Sequence, residues 1–253
     1  KRKTKLEKKG VTAYMTVGWS GLSDSEIKNK IRVFYHQGIS GFKIKVGSDI
    51  DREINLLKEI RSDSTLIHVG RQEESSYDVI IKQGALSSLA SLLGEYTASH
   101  RYAIISDRNV ASLYGLSLRD NLRMEGLDVE LFPFDQGEVN KTRSTWCDLT
   151  DKMLARSFGR DSCILALGGG VVGDVAGFVA ATYMRGVPVV QIPTSLLAMI
   201  DASVGGKTGV DVSAGKNLVG AFHPPRLVVV DPAVVSTLPV DECKQGLVEA
   251  VKH

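Results

Sequence analysis

The chain is poor in cysteine, in net charge and in long apolar runs. Its 3 cysteines, at positions 147, 163 and 243, are too few and too irregularly spaced for a disulfide frame or a thiolate metal cluster. They point to reduced, buried thiols in a cytosolic protein. The formal net charge of +2 implies no general attraction to nucleic acid. No apolar run approaches the ~18 residues that a membrane helix needs. No apolar stretch follows the basic start, so a secretory signal is not expected. Methionine is missing from position 1, and Lys1 therefore reads as other than the native N-terminus.

What is present is the composition of a globular protein, 43% apolar and 24% charged, with room for one large domain or two ordinary ones. The first ten residues, KRKTKLEKKG, are strongly basic. They read as a solvated tail, the alternative being a targeting or binding arm. Residues 11–66 then alternate strand and helix. VTAYMTVG is a strand, and Ser23 or Asp24 caps a helix with Glu26 in its first turn. GFKIKVG is a second strand and DIDREINLLKEIR a second helix, with Ile50, Ile54 and Leu57 on one face. Residues 67–76 are polar and aperiodic, which marks a junction.

A new alternation starts at Tyr77 and runs to 239. Strands are expected in YDVII, RYAIISD, LDVELFPFD, CILALGGG, VPVVQIPTS and LVVVDP, with helices between them. This is the pattern of a doubly wound, Rossmann-like α/β sheet. A further helix begins at Val240 and occupies 240–253.

Gly168 to Gly173 satisfies G-x-G-x-x-G between a strand and a helix, where backbone N–H groups approach a pyrophosphate. A tight turn without ligand is the plainer alternative. The acid expected about 20 residues on is missing, because Gln191 and Thr194 stand there. Asp107, closing the strand IISD, is the candidate ribose contact instead. In DASVGGKTGVD, Gly205 and Gly206 bend the backbone so that Asp201 and Lys207 come together, either as an anion-binding pair or as a structural salt bridge. GKNLVGAFHPP offers a cation and an amide, Lys216 and Asn217. These charged residues, with Asp211, are expected in glycine-rich loops. Glu249 with Lys252, and Glu138 with Lys141, are each three apart and would form surface ion pairs by default.

Taken together, GGGVVGDVAGFVAATYMRG, QIPTSLLAMIDASVGGKTGVD, GKNLVGAFHPP, DPAVVSTLP and GLVEAVKH resemble the 3-dehydroquinate synthase family over residues 77–253. The resemblance implies an NAD-binding α/β domain followed by a helical metal-binding domain, of which this sequence would hold only the opening. It implies an NAD site from Asp107, Asn109, Glu138, Lys141, Gly169, Gly170, Asp174, Thr194, Ser195, Lys207, Lys216 and Thr237. It implies that Asp201, Lys207, Asn217 and Lys252 hold a sugar phosphate, and that Arg185 reaches the phosphate pocket of a neighbouring subunit in a homodimer. Glu249 would be one of three ligands to zinc or cobalt, the other two being histidines past the end of this sequence. The implied activity converts 3-deoxy-D-arabino-heptulosonate 7-phosphate to 3-dehydroquinate and phosphate, in the cytoplasm, without nucleic acid or membrane. A sibling sugar-phosphate cyclase and a non-catalytic NAD-binding remnant are the alternatives. Residues 11–66 are similar to a fragment of enolase-superfamily sugar-acid dehydratases, with Lys43 and Lys45 matching a K-x-K strand end. The acidic magnesium ligands that should follow are replaced by HVGRQEE, so dehydratase activity is not expected. A quarter barrel would also leave a raw sheet edge, so poor packing is expected there.

Overall fold

The computed structural model describes residues 76–252 and, before them, 14–18, 41–44 and the single positions Ser23, Ser25, Glu26, Asn29 and Val33. The chain divides into two units, Lys1–Glu73 and Glu74–His253. In the first, strand β1 (Tyr14–Gly18) pairs in parallel with β2 (Gly41–Ile44). Ser25, Glu26, Asn29 and Val33 are helical. Ser23 caps them as expected: its Oγ accepts from Glu26 N at 3.4 Å while Glu26 Oε2 accepts from Ser23 N at 2.8 Å. That reciprocal arrangement is a capping box. Lys45, the helix expected after it and the junction expected at 67–76 lie outside the described residues apart from Ser76, and so does the side chain of Lys43.

The second unit is a six-stranded, all-parallel sheet. Its strands are β3 (Asp78–Ile81), β4 (Arg101–Asp107), β5 (Asp128–Phe134), β6 (Ser162–Gly168), β7 (Val189–Pro193) and β10 (Leu227–Val230). Their order is β3-β10-β7-β6-β4-β5. Every position of β6 and β10 is buried, which explains their unbroken apolar runs: a parallel sheet is covered on both faces. In β4, Tyr102 and Ile104 face one core, and Ala103 and Ile105 face the other. Helices α1 (Leu89–Tyr96) and α2 (Leu116–Met124) fill the first core with Leu89, Leu93, Leu118 and Leu122. Helices α3 (Arg143–Ala155) and α4 (Gly170–Thr182) fill the second with Leu149, Met153, Val175 and Val179. Val210 joins that second core from an antiparallel hairpin, β8 (Lys207–Val212) with β9 (Gly215–Phe222). Helix α5 (Val240–Lys252) ends the described chain.

Buried Asp231, just past β10, ties two distant turns together. Its carboxylate accepts from Gly84 N at 2.9 Å, Ala233 N at 3.1 Å and Leu86 N at 3.2 Å. β4 lies between β5 and β6, so the chain leaves it towards one side and later resumes on the other. Such a reversal opens a crevice at the carboxyl ends of the strands, here beyond Asp107 and Gly168. The cysteines depart from expectation. Cys163 is buried in β6 and its thiol is pushed up to about 12 by burial, but Cys147 is exposed and Cys243 half-buried. Both of these sit on amphipathic helices rather than in the sheet.

Candidate functional site

The crevice is walled by the glycine turn. Gly169 precedes α4 without any side-chain cap, and no acidic residue stands in the first turn. The leading N–H groups of α4, with their partial positive charge, are therefore left for a ligand. A Cβ on Gly168 would fall 2.5 Å from Val172 Cγ2, so only glycine makes this strand-to-helix turn. Gly173 leaves room for Gln191, whose Nε2 donates to Gly173 O at 3.2 Å. The residue standing where an acid was expected is thus a buried packing element between β7 and α4.

A first cleft of about 610 Å³ opens in front of this turn. It is lined by Asp107, Asn109, Glu138, Lys141, Gly169, Gly170, Asp174, Thr194, Ser195 and Thr237. Asp107 Oδ1 accepts from Val110 N at 2.9 Å. Thr237 Oγ1 and the Tyr114 hydroxyl are 2.6 Å apart. Tyr114, Leu113, Val171 and Leu197 also line the cleft and were not anticipated. Val171 and Leu197 adjoin the glycine and PTS motifs, a usable signal; Tyr114 carries none. Lys207 and Lys216 do not line this cleft. Lys207 belongs to the second cleft, and Lys216 reaches from β9 to Glu138 Oε1 at 3.0 Å on the surface.

The second cleft, about 550 Å³, contains Asp174, Asp201, Lys207, Thr208 and Asn217. The expectation that these residues sit in glycine-rich loops is corrected. Asp201 is in a π-helical turn, Ala198–Ala202, Lys207 opens β8, Asp211 lies on β8, and Lys216 and Asn217 lie on β9. The glycines serve strand packing: Gly209 pairs with Gly220, and a Cβ on Gly220 would meet Thr208 O at 2.1 Å. A true turn remains at 203–206, where Gly205 and Gly206 have φ of 90° and 67°. It is pinned by Gly205 N donating to the Tyr77 hydroxyl at 2.7 Å and by His223 N donating to Gly206 O at 2.7 Å. The side chains of Asp201 and Lys207 make no hydrogen bond or ion pair with each other or with any other described residue.

The two clefts meet at Asp174, which lines both. Lys141, 4% exposed, sets its ammonium 2.5 Å from Asp174 Oδ2 and 2.5 Å from Asn217 Oδ1. The default surface pair of Glu138 with Lys141 is therefore replaced by two longer-range pairs. Burial pushes the Asp174 carboxyl above its ordinary value, and the Lys141 hydrogen bond opposes that rise without cancelling it.

Arg185 lines neither cleft. It is exposed at the end of the Tyr183–Arg185 turn, where Met184 and Arg185 have φ of 50° and 71°, the left-handed region that non-glycine residues seldom adopt. Glu249 and Lys252 lie on α5, and their side chains are outside the described residues. Among the described residues, no group of three His, Cys, Asp or Glu could hold a metal ion, and no helix is long and apolar enough to cross a membrane.

Residues 131–245 match the family described as 3-dehydroquinate synthase, N-terminal. The chain is 46% identical over 183 residues to the 3-dehydroquinate synthase of Synechococcus sp. strain CC9605, covering 72% of this chain and 49% of that protein. It thus spans about half the length of the curated relatives it matches. A solved 2-epi-5-epi-valiolone synthase from Streptomyces hygroscopicus with NAD+ and Zn2+ bound is 36% identical, with TM-score 0.65 over 72% of this chain and 50% of that one. A 2-deoxy-scyllo-inosose synthase complexed with carbaglucose-6-phosphate, NAD+ and Co2+ is 32% identical, with TM-score 0.65 over 70% of this chain and 47% of that one. The resemblance of residues 77–253 to this family and the Rossmann-like α/β fold are borne out.

Proposed function

We propose that residues 77–253 are the NAD-binding portion of a 3-dehydroquinate synthase, with 77–239 as the nucleotide domain and 240–253 opening the domain that follows. One observation carries the reading: two clefts meet at Asp174, one walled by an uncapped helix N-terminus and one by an acid, a cation and an amide. The first suits a dinucleotide. Gly169 and Gly170 admit the pyrophosphate against the backbone, and Asp107, with one oxygen holding Val110 N, keeps the other for a ribose hydroxyl. The second suits a small sugar phosphate, with Lys207 for the anionic groups and Asp201 and Asn217 for hydroxyls. NAD, when bound, supplies transient oxidation of a substrate hydroxyl, which acidifies the neighbouring C–H and lets phosphate leave. Around that chemistry the protein orients the two ligands side by side and keeps a half-buried carboxyl, Asp174, at their junction.

Glu249 contributes at most one ligand to a zinc or cobalt ion, and zinc sites use ~3–4 protein ligands. The described residues alone do not fit that metal. Arg185, exposed and outside both clefts, would serve a partner copy in a homodimer. The reading implies a cytoplasmic biosynthetic role without nucleic acid or membrane. Identity to the curated dehydroquinate synthases exceeds that to the sibling cyclases, 46% against 36% and 32%, which favours the dehydroquinate maker.

Calorimetric titration of the purified chain with NAD tests the cofactor half; saturable one-to-one binding is expected, and its absence overturns the reading. Phosphate release from 3-deoxy-D-arabino-heptulosonate 7-phosphate, with NAD and zinc added, tests the catalytic half. NAD binding without phosphate release would reduce this chain to an NAD-binding protein.

A further inference from the structure

The tip of the hairpin is sewn to the segment between β5 and α3. Asp211 N donates to Lys141 O at 2.7 Å, Lys216 Nζ meets Glu138 Oε1 at 3.0 Å, and Lys141 Nζ meets Asn217 Oδ1 at 2.5 Å. Glu138 and Lys141 line the first cleft, and Asn217 lines only the second. Asn217 is held in the left-handed region, φ 56°, with its own N–H donating to Asp211 Oδ1 at 2.8 Å. A strained residue fixed by a neighbouring carboxylate, and aimed at a buried cation, is spatially committed.

We infer that Asn217, a residue of the second cleft, is a positioning residue for the first: its amide oxygen holds the Lys141 ammonium against the cofactor cleft, so occupancy of the two clefts is coupled. The Lys141 ammonium has two acceptors, Asp174 and Asn217. Without the amide oxygen, it has only the carboxylate, and its placement along the cleft wall changes. A sugar hydroxyl that engages the Asn217 amide alters the same contact. Affinity in one cleft therefore depends on the other, and the dependence is reciprocal. The inference rests on NAD occupying the first cleft.

The test is NAD titration of the intact chain beside Asn217→Gly and Ser213→Ala. Glycine accepts the native φ and keeps the N–H to Asp211, so only the amide side chain is lost. Ser213 is exposed at the same hairpin tip, between β8 and β9, and serves as the control. The expected result is NAD binding weakened about fivefold or more in Asn217→Gly, the lower end of typical coupling. Ser213→Ala should bind as the parent does, and the three unfolding midpoints should agree, which keeps the loss local. Equal NAD affinity in the parent and Asn217→Gly overturns the inference and leaves the cofactor reading intact. A parent chain that binds no NAD overturns both.

Discussion

The two clefts are built on opposite plans. In the first, several polar residues are already engaged: Asp107 caps Val110, Glu138 holds Lys216, Lys141 is shared by Asp174 and Asn217, and Thr237 meets Tyr114. They stand at the ends of sheet strands and at turns packed against the core. In the second, Asp201 and Lys207 have no side-chain partner among the described residues and are placed by backbone alone, through a π-helical turn and a pinned glycine bend. A cleft whose groups satisfy one another is organised before any ligand arrives. A cleft with unpaired opposite charges keeps its strongest interactions for the ligand.

That contrast is sharpest in a pair of lysine substitutions. Lys141→Met would leave the half-buried Asp174 without its cation and is expected to cost about 3 kcal/mol in urea unfolding. Lys207→Met, at an exposed and unpaired position, is expected to cost under about 0.5 kcal/mol. Equal losses would erase the distinction between the clefts. A smaller effect is expected at Gly177, whose added Cβ would lie 2.4 Å from Thr208 Cγ2 on β8. Gly177→Ala should cost about 1–3 kcal/mol by overpacking. Thr208→Ser, which removes that methyl, should recover part of the loss in a double-mutant cycle; strict additivity would rule the contact out. The smallest effect concerns pH. The raised Asp174 carboxyl makes the native state hold a proton that the unfolded chain has already released. This contribution to stability is present below the ordinary value of 3.8 and is lost as pH rises through the raised one. Asp174→Asn should flatten that limb in denaturation curves taken across the window, and an unchanged slope would assign it to other groups.

The sheet and the first cleft were largely legible because their signals are local. Apolar runs such as CILALG and RYAII mark strands buried on both faces, and Asp107 and the glycine turn stand at strand ends. The hairpin was not legible, since Gly209 and Gly220 interrupt its strands and look like loop punctuation. On β9, Leu218 is 63% and Phe222 82% exposed, so its apolar residues do not alternate cleanly with polar ones. The Lys141–Asp174 pair joins residues far apart in sequence, and the capping role of Asp231 depends on N–H groups near Gly84; no spacing rule reaches that far. Asp201, Lys207 and Asn217 line one cleft, but on a π-helical turn and two strands rather than in the loops expected of them.

The two margins of the large sheet end differently. β3, one margin among the described residues, has only four residues, Asp78–Ile81, and among the described residues pairs with β10 alone. β5, the other, carries Pro133 opposite Ser106, removing one N–H from its row of backbone donors. A short strand and a proline-marked strand are poor templates for adding further strands, so the sheet limits its own growth. A margin that discourages backbone pairing leaves contacts there to side chains, where geometry and charge can choose a partner, rather than to a ladder that accepts nearly any extended peptide.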